Sequence, residues 1–179
     1  MGRLAGKFVA QPAGQNIAES ALKRMANSAL ILTCLTLPLA AAAAGAALPA
    51  ALDLRAESSE AAKNGQPLLI LFSRPDCPYC DEVRDTWLRP LTRDPKQVKL
   101  KVRQIDQDSE QPLVDFAGRP TTHAAFAAAE KVKFVPVVVA YGPQGQRLAD
   151  TIVGTRLPDF YGAYLANVLD EARARLRRQ

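Results

Sequence analysis

The chain has 179 residues, enough for one domain plus an extension, and a formal charge of +5 from 23 Lys and Arg against 18 Asp and Glu. The excess is not evenly spread: from residue 47 onward there are 19 basic and 17 acidic residues, about +2, so no large basic field implies a nucleic-acid partner. With 3 cysteines and 1 histidine in the whole chain, a structural zinc site is short of ligands.

The N-terminal stretch has its own texture. Met1 to Met25 is mixed and ends in Lys23-Arg24, Ala29 to Ala44 is apolar and uncharged, and small residues follow at Ala42-Ala43-Ala44 and Ala44-Gly45-Ala46. This is the order of a basic n-region, an h-region and an Ala-x-Ala type cleavage site. A signal peptide over 1–46 is expected, cut after Ala44 or Ala46, with Met25 as an alternative start and a domain over 47–179. The competing reading is an uncleaved anchor, for which the apolar run needs Gly45 to Ala51 to approach the ~20 residues of a span. Either way the remainder is expected outside the cytoplasm, periplasmic or otherwise secreted, with no stable membrane insertion after cleavage. Removal of Cys34 would leave Cys77 and Cys80, as an oxidising compartment tolerates.

Leu52 to Lys63 has helical character, with Leu54, Ala61 and Ala62 as core contacts and Asn64-Gly65 as a stop. Leu68 to Phe72 is a continuous apolar run too short for a helix, so it reads as a strand covered on both faces. Pro75 and Asp76 break it. Pro78 suits the first position of a helix. Cys80, Val83, Trp87, Leu88 and Leu91 then share one face, Asp81, Glu82, Arg84 and Asp85 the other, and Pro90 is expected to end the helix near Arg89. Val98, Leu100 and Val102 alternate with Lys99, Lys101 and Arg103, a strand with one face in water that ends at 105–108. Ser109 to Pro120 is irregular. Thr121 or Thr122 caps an Ala-rich helix to about Lys131, which places His123 in an exposed first turn. Lys133 to Tyr141 is a second apolar strand, 143–146 a hairpin turn, Leu148 to Val153 the return, and Gly154 a break. Pro158-Asp159 opens a last helix whose apolar face is Phe160, Tyr164, Leu165, Val168, Leu169, Ala172 and Leu176, and whose terminal arginines complement its dipole. These elements make an α/β fold: a central mixed sheet with helices on both faces.

The chemistry concentrates at Cys77-Pro78-Tyr79-Cys80. At a helix N-terminus the free N–H groups and the dipole favour an anion, and a thiolate, the nucleophile of disulfide exchange, is one. Cys80 is one turn on, near enough to form a disulfide with Cys77, so the pair can form a mixed disulfide and resolve it. Two soft thiolates can also hold Cu(I), though no methionine or histidine cluster stands near to complete such a site.

The ordered set of Leu68–Phe72 with Cys77-Pro78-Tyr79-Cys80, Val102 to Gln107, Val135-Pro136, Gly145 and Gly154 resembles the thioredoxin superfamily over roughly Leu52 to Ala172. It is most similar in texture to secreted bacterial thioredoxin-like proteins, including those found with sulfur-oxidation systems. The resemblance implies a thioredoxin-like fold, a redox-active Cys77–Cys80 disulfide with no other cofactor and no metal, and thiol–disulfide oxidoreductase activity. It implies catalytic roles for Cys77 and Cys80, and substrate contact at Pro78, Tyr79, Val135 and Pro136. Pro136 would be cis, leaving the Val135 N–H and C=O to pair with an extended substrate. A protein disulfide is the expected substrate and a membrane electron donor the expected partner, making the chain a reductase; a disulfide-donating oxidant is the alternative. Departures from the family pattern are Leu71 where cytoplasmic thioredoxins bury an acid and Asp76 where a tryptophan is usual. The span from Asp106 to Pro136 is longer than in compact members, which makes Ser109 to Pro120 a candidate recognition loop or a plain insertion. Pro78-Tyr79 is the glutaredoxin pair, but the glycine pair and acid that bind glutathione are missing after the last strand.

Overall fold

β1 (Leu68–Ser73) is buried along its whole length, parallel to β2 (Lys101–Asp106) on one side and antiparallel to β5 (Val137–Tyr141) on the other. The computed structural model describes residues 2, 48–97, 99–155 and 158–179, so the expected signal peptide, Cys34 and Val98 lie outside the described residues. The sheet runs β2-β1-β5-β6, with β6 (Ile152–Val153) antiparallel to β5. Alternation along β1 divides the core. Leu69 and Leu71 face one layer with Val102, Val138 and Ala140, while Leu68, Ile70 and Phe72 face the other with Ile105, Val139 and Tyr141. A strand sandwiched in this way needs apolar side chains at both parities, which is why its sequence shows no alternation.

α1 (Leu54–Lys63) covers the second layer. Asp53 caps it, accepting the Ala56 N–H at 2.8 Å, and Gly65 ends it at φ +67°. Beyond β1 the chain turns into a long helical stretch, α2, made of Pro78–Glu82, a π-helical section Val83–Leu88, and Arg89–Arg93. Pro90 therefore does not end the helix, contrary to expectation. The Arg89 N–H bonds back to the Arg84 carbonyl five residues earlier, and this wider turn accommodates a ring that would clash in a regular α-helix. β2 starts later than its alternation suggests, after a 3₁₀ turn at Pro95–Gln97.

The stretch expected to be irregular holds a small antiparallel hairpin, β3 (Pro112–Val114) with β4 (Pro120–Thr122). Asp115 builds its turn: Oδ1 accepts the Ala117 and Arg119 N–H groups, each at 2.8 Å, and Oδ2 the Arg119 side chain. These bonds to its charged form hold the Asp115 carboxyl below the usual carboxylate range, the Arg119 backbone bond foremost. α3 (His123–Ala129) follows, capped by Thr122 through the Ala125 N–H.

Leu148 to Val153 was expected as one return strand, but only Ile152 and Val153 pair regularly with β5. The register shifts by two between Tyr141↔Arg147 and Val138↔Ile152, so two extra residues bulge outward on the returning side. At the hairpin turn Gly145 has φ +77°, and a Cβ there would lie 2.7 Å from the Phe116 ring. α4 (Tyr161–Leu176) closes the first layer through Tyr161, Leu165, Val168, Leu169 and Ala172, whereas Phe160 and Tyr164, assigned to that face by spacing, are exposed. Phe160 belongs to the 3₁₀ turn Pro158–Phe160 that precedes the helix, and Tyr164 lies at the edge of the buried stripe.

His123 is fully buried rather than exposed. Its Nδ1 accepts the Asp106 N–H at 3.1 Å, which puts the proton on Nε2, 2.9 Å from the Ala51 carbonyl that accepts it. One ring thus joins β2, α3 and the segment 48–51, which itself bonds to the Gln104 backbone through Ala51 N–H and Pro49 C=O. His123→Ala is expected to destabilise the domain by about 2–4 kcal/mol in urea unfolding, through a cavity and two orphaned backbone groups.

Candidate active site

The chain leaves β1 at Ser73, turns over Arg74, Pro75 and Asp76, and enters α2 at Cys77. Asp76 is in the left-handed region at φ 54°, a conformation that a side chain makes costly by about 1–2 kcal/mol and that Asp tolerates better than most. Cys77 is the N-cap residue of α2, with extended backbone, and Pro78 follows at the first turn. The Cys80 N–H lies 3.2 Å from Cys77 Sγ, a donor aimed at the sulfur, where a serine or aspartate cap would place its oxygen. Cys77 and Cys80 are joined as a disulfide with Cα atoms 5.2 Å apart. Their exposure differs: Cys77 keeps 6% of its surface and Cys80 none, while Tyr79 between them is 64% exposed.

Val137 is opposite Phe72, so the residues before Val137 and those after Phe72 leave the sheet at the same end. The Val135–Pro136 peptide bond is cis, Pro136 is buried, and Val135 packs on the second layer. The Pro136 carbonyl accepts the Gly154 N–H at 2.8 Å, and Gly154, at φ +70°, turns the chain away from β6 there. Phe134, just before this pair, is 76% exposed. The structure thus brings Cys77, Pro78, Tyr79, Cys80, Val135 and Pro136 to one end of the sheet.

A charged group expected on the solvent face is also in place here. Arg84 is buried, one turn past Cys80. Its Nε donates to Gln104 Oε1 at 2.9 Å, one terminal nitrogen to Ser73 Oγ at 3.2 Å, and the other to the Asp81 carboxylate. Gln104 in turn donates to Asp106. The guanidinium therefore ties the cysteine-bearing helix to the ends of β1 and β2. Arg84 stands four residues after Cys80 and four before Leu88, on the buried face at ordinary helical spacing, so its position, not its charge, was the signal; the polar Ser73 at the end of the apolar β1 was a second one. Leu71, where an acid stands in cytoplasmic thioredoxins, is fully buried among apolar side chains.

A family model described as a thioredoxin-like domain matches residues 54–169. The chain belongs to the thioredoxin-like family. Its sheet order, disulfide-bearing helix and closing α4 are the thioredoxin-like fold, and members of that fold are generally thiol–disulfide oxidoreductases. No curated protein matches the sequence. Among solved structures, a thioredoxin h from poplar is 22% identical, covering 63% of this chain and 86% of that one at a TM-score of 0.46. A thioredoxin-fold protein from Helicobacter pylori is 14% identical, with coverages of 64% and 84% and a TM-score of 0.46. The oxidoreductase DsbH is 18% identical, with coverages of 75% and 89% and a TM-score of 0.45.

Arg84→Met keeps the stem of the side chain but leaves Ser73 and Gln104 without their charged partner. A loss of about 2–4 kcal/mol is expected in chemical denaturation, and Asp81→Asn, on the exposed side of the same cluster, should cost less than about 1 kcal/mol.

Proposed function

We propose that the chain is a secreted, periplasmic thiol–disulfide oxidoreductase that reduces disulfides in proteins. The observation that carries this reading is the asymmetry of the pair: Cys77, the more exposed sulfur, caps a helix and receives an N–H, while Cys80 is sealed beneath it. In the reduced protein the Cys77 thiolate attacks one sulfur of a substrate disulfide. The substrate S–S bond breaks, a Cys77–substrate disulfide forms, and the released substrate thiolate takes up a proton. Cys80 then gives up its proton and attacks Cys77 Sγ, the second substrate sulfur leaves as a thiol, and the Cys77–Cys80 disulfide closes. The substrate has gained two electrons and two protons, and a membrane electron donor restores the dithiol. Pro78 and Tyr79 flank the attacking sulfur, and the Val135 backbone beside Pro136 offers an extended substrate strand its N–H and C=O.

The leader-like segment 1–46 supports secretion, since its n-region, apolar run and small residues follow the order of a cleavable signal. His123, the one histidine of the chain, has both ring nitrogens engaged in the core and is not free to join the two thiols around Cu(I).

Cys80→Ala should accumulate a mixed disulfide between Cys77 and its natural partner, identified by mass spectrometry, and Cys77→Ser should accumulate none. Equal trapping by both variants would contradict the assigned order of attack. Equilibration with glutathione or dithiothreitol measures the direction of electron flow. A reductase predicts a potential below about −200 mV, and a value near −150 mV or above would make the protein a disulfide donor instead.

A further inference from the structure

From the groove beside Pro136 we infer that this protein selects disulfides held in acidic, extended segments of its substrates; the inference rests on the oxidoreductase reading above. A groove of about 310 Å³ lies between the C-terminus of α3 and β6, lined by Lys131, Lys133, Phe134, Arg147 and Val153 among others. It adjoins the cis peptide through Phe134 on one side and Val137 on the other. A substrate strand paired with Val135 would extend past Phe134 and so into it. Phe134, 76% exposed, and Val153, 48% exposed, offer it apolar contact.

The charges in the groove are not balanced. Its one acid, Glu130, is taken by Arg147 at 2.8 Å and by the Tyr141 hydroxyl at 2.7 Å. Lys131 and Lys133 are exposed, and neither forms an ion pair among the described residues. The depression on the other side of β6, about 820 Å³ between β6 and α4, is lined by Asp150 and Glu171 and, among the described residues, by no basic side chain. On the far side of Cys77, Arg74 and Asp76 are one of each sign, and Asp106, opposite Ser73 at the end of β2, and Asp108 add further acids. An acidic peptide is therefore drawn toward Lys131 and Lys133 and away from Asp150 and Glu171.

Backbone geometry gives an independent reason to look at Lys131. It sits at φ 60° just past α3, with its N–H on the Ala128 carbonyl and the Val132 N–H on the Ala127 carbonyl. This is the helix-ending arrangement in which glycine is the favoured residue, because a Cβ is strained there. A lysine where glycine would serve the fold better marks this side chain as a candidate for a role outside the fold.

The test uses the reduced protein and two disulfide-closed peptides, identical except that glutamates flank the reacting cysteine in one and lysines in the other. Rates of reduction are read by acid quenching and mass spectrometry, with neutral bis(2-hydroxyethyl) disulfide as a third substrate. At low salt the acidic peptide should react roughly tenfold faster than the basic one, and 1 M NaCl should erase most of that preference. Lys131→Gly with Lys133→Gln should cut the preference to about twofold or less, while Lys96→Gln with Lys99→Gln, at the opposite end of the sheet, should leave it in place. Lys131→Gly alone should melt no lower than the parent protein. Equal rates for the two peptides with the neutral disulfide still reduced, or a preference that survives the Lys131 and Lys133 changes, would overturn this inference and leave the oxidoreductase reading standing. Failure to reduce even the neutral disulfide would overturn both.

Discussion

β1 is held by a parallel neighbour on one edge, an antiparallel neighbour on the other, and an apolar layer on each face. With every residue from Leu68 to Ser73 buried, its register cannot slip by one position without exchanging the two layers of the core. That constraint fixes the point at which the chain emerges, and four residues separate the last apolar position, Phe72, from Cys77. Because β5 runs against β1, the same pairing places Val135 and Pro136 at the emerging end. The two halves of the site come from segments almost sixty residues apart in the chain, and the sheet alone brings them together.

Around this rigid base the site departs from what would best serve folding alone. Asp76 and Lys131 both occupy left-handed backbone without being glycine, one next to Cys77 and the other in the groove leading to Val135. Elsewhere the turns that need a positive φ use glycine, at Gly65, Gly118, Gly145 and Gly154. Arg84 is the third departure. A charge is buried beside apolar strands, and its cost is met by hydrogen bonds to Ser73, Gln104 and Asp81 rather than by removal. It clamps α2 to the strand ends, so that the first turn of the helix, and with it the N–H that faces Cys77 Sγ, is held in place.

The parts of this arrangement that were legible in the sequence are those with a strong local signal. Leu68–Phe72 and the run from Lys133 to Tyr141, of which Val137–Tyr141 forms the strand, are long and apolar, Cys77-Pro78-Tyr79-Cys80 carries proline at a helix start, and Thr122 stands where a cap belongs. What escaped notice depends on long-range context. β3 and β4 are three residues each and begin with proline, too short to display a period of two. His123 opens an alanine-rich helix and looks solvated, and only the arrival of Asp106 and Ala51 from distant segments makes it a core residue. Pro90 passes without a break because the π section widens the turn before it, whereas Arg84 stands on the buried face at ordinary helical spacing from Cys80 and only its charge pointed to solvent. Phe160 belongs to the 3₁₀ turn before α4 rather than to the helix, and Tyr164 sits at the edge of the buried stripe rather than within it.

The central claim is that Cys77 is the activated sulfur because it caps α2. The most direct measurement is the pH dependence of iodoacetamide alkylation in the reduced protein, resolved by site through peptide mapping. The account predicts that Cys77 reacts first, with a midpoint at about pH 7 or below, against about 8.5 for an unperturbed thiol. A midpoint at or above about 8.5, or faster modification of Cys80 than of Cys77, would contradict it.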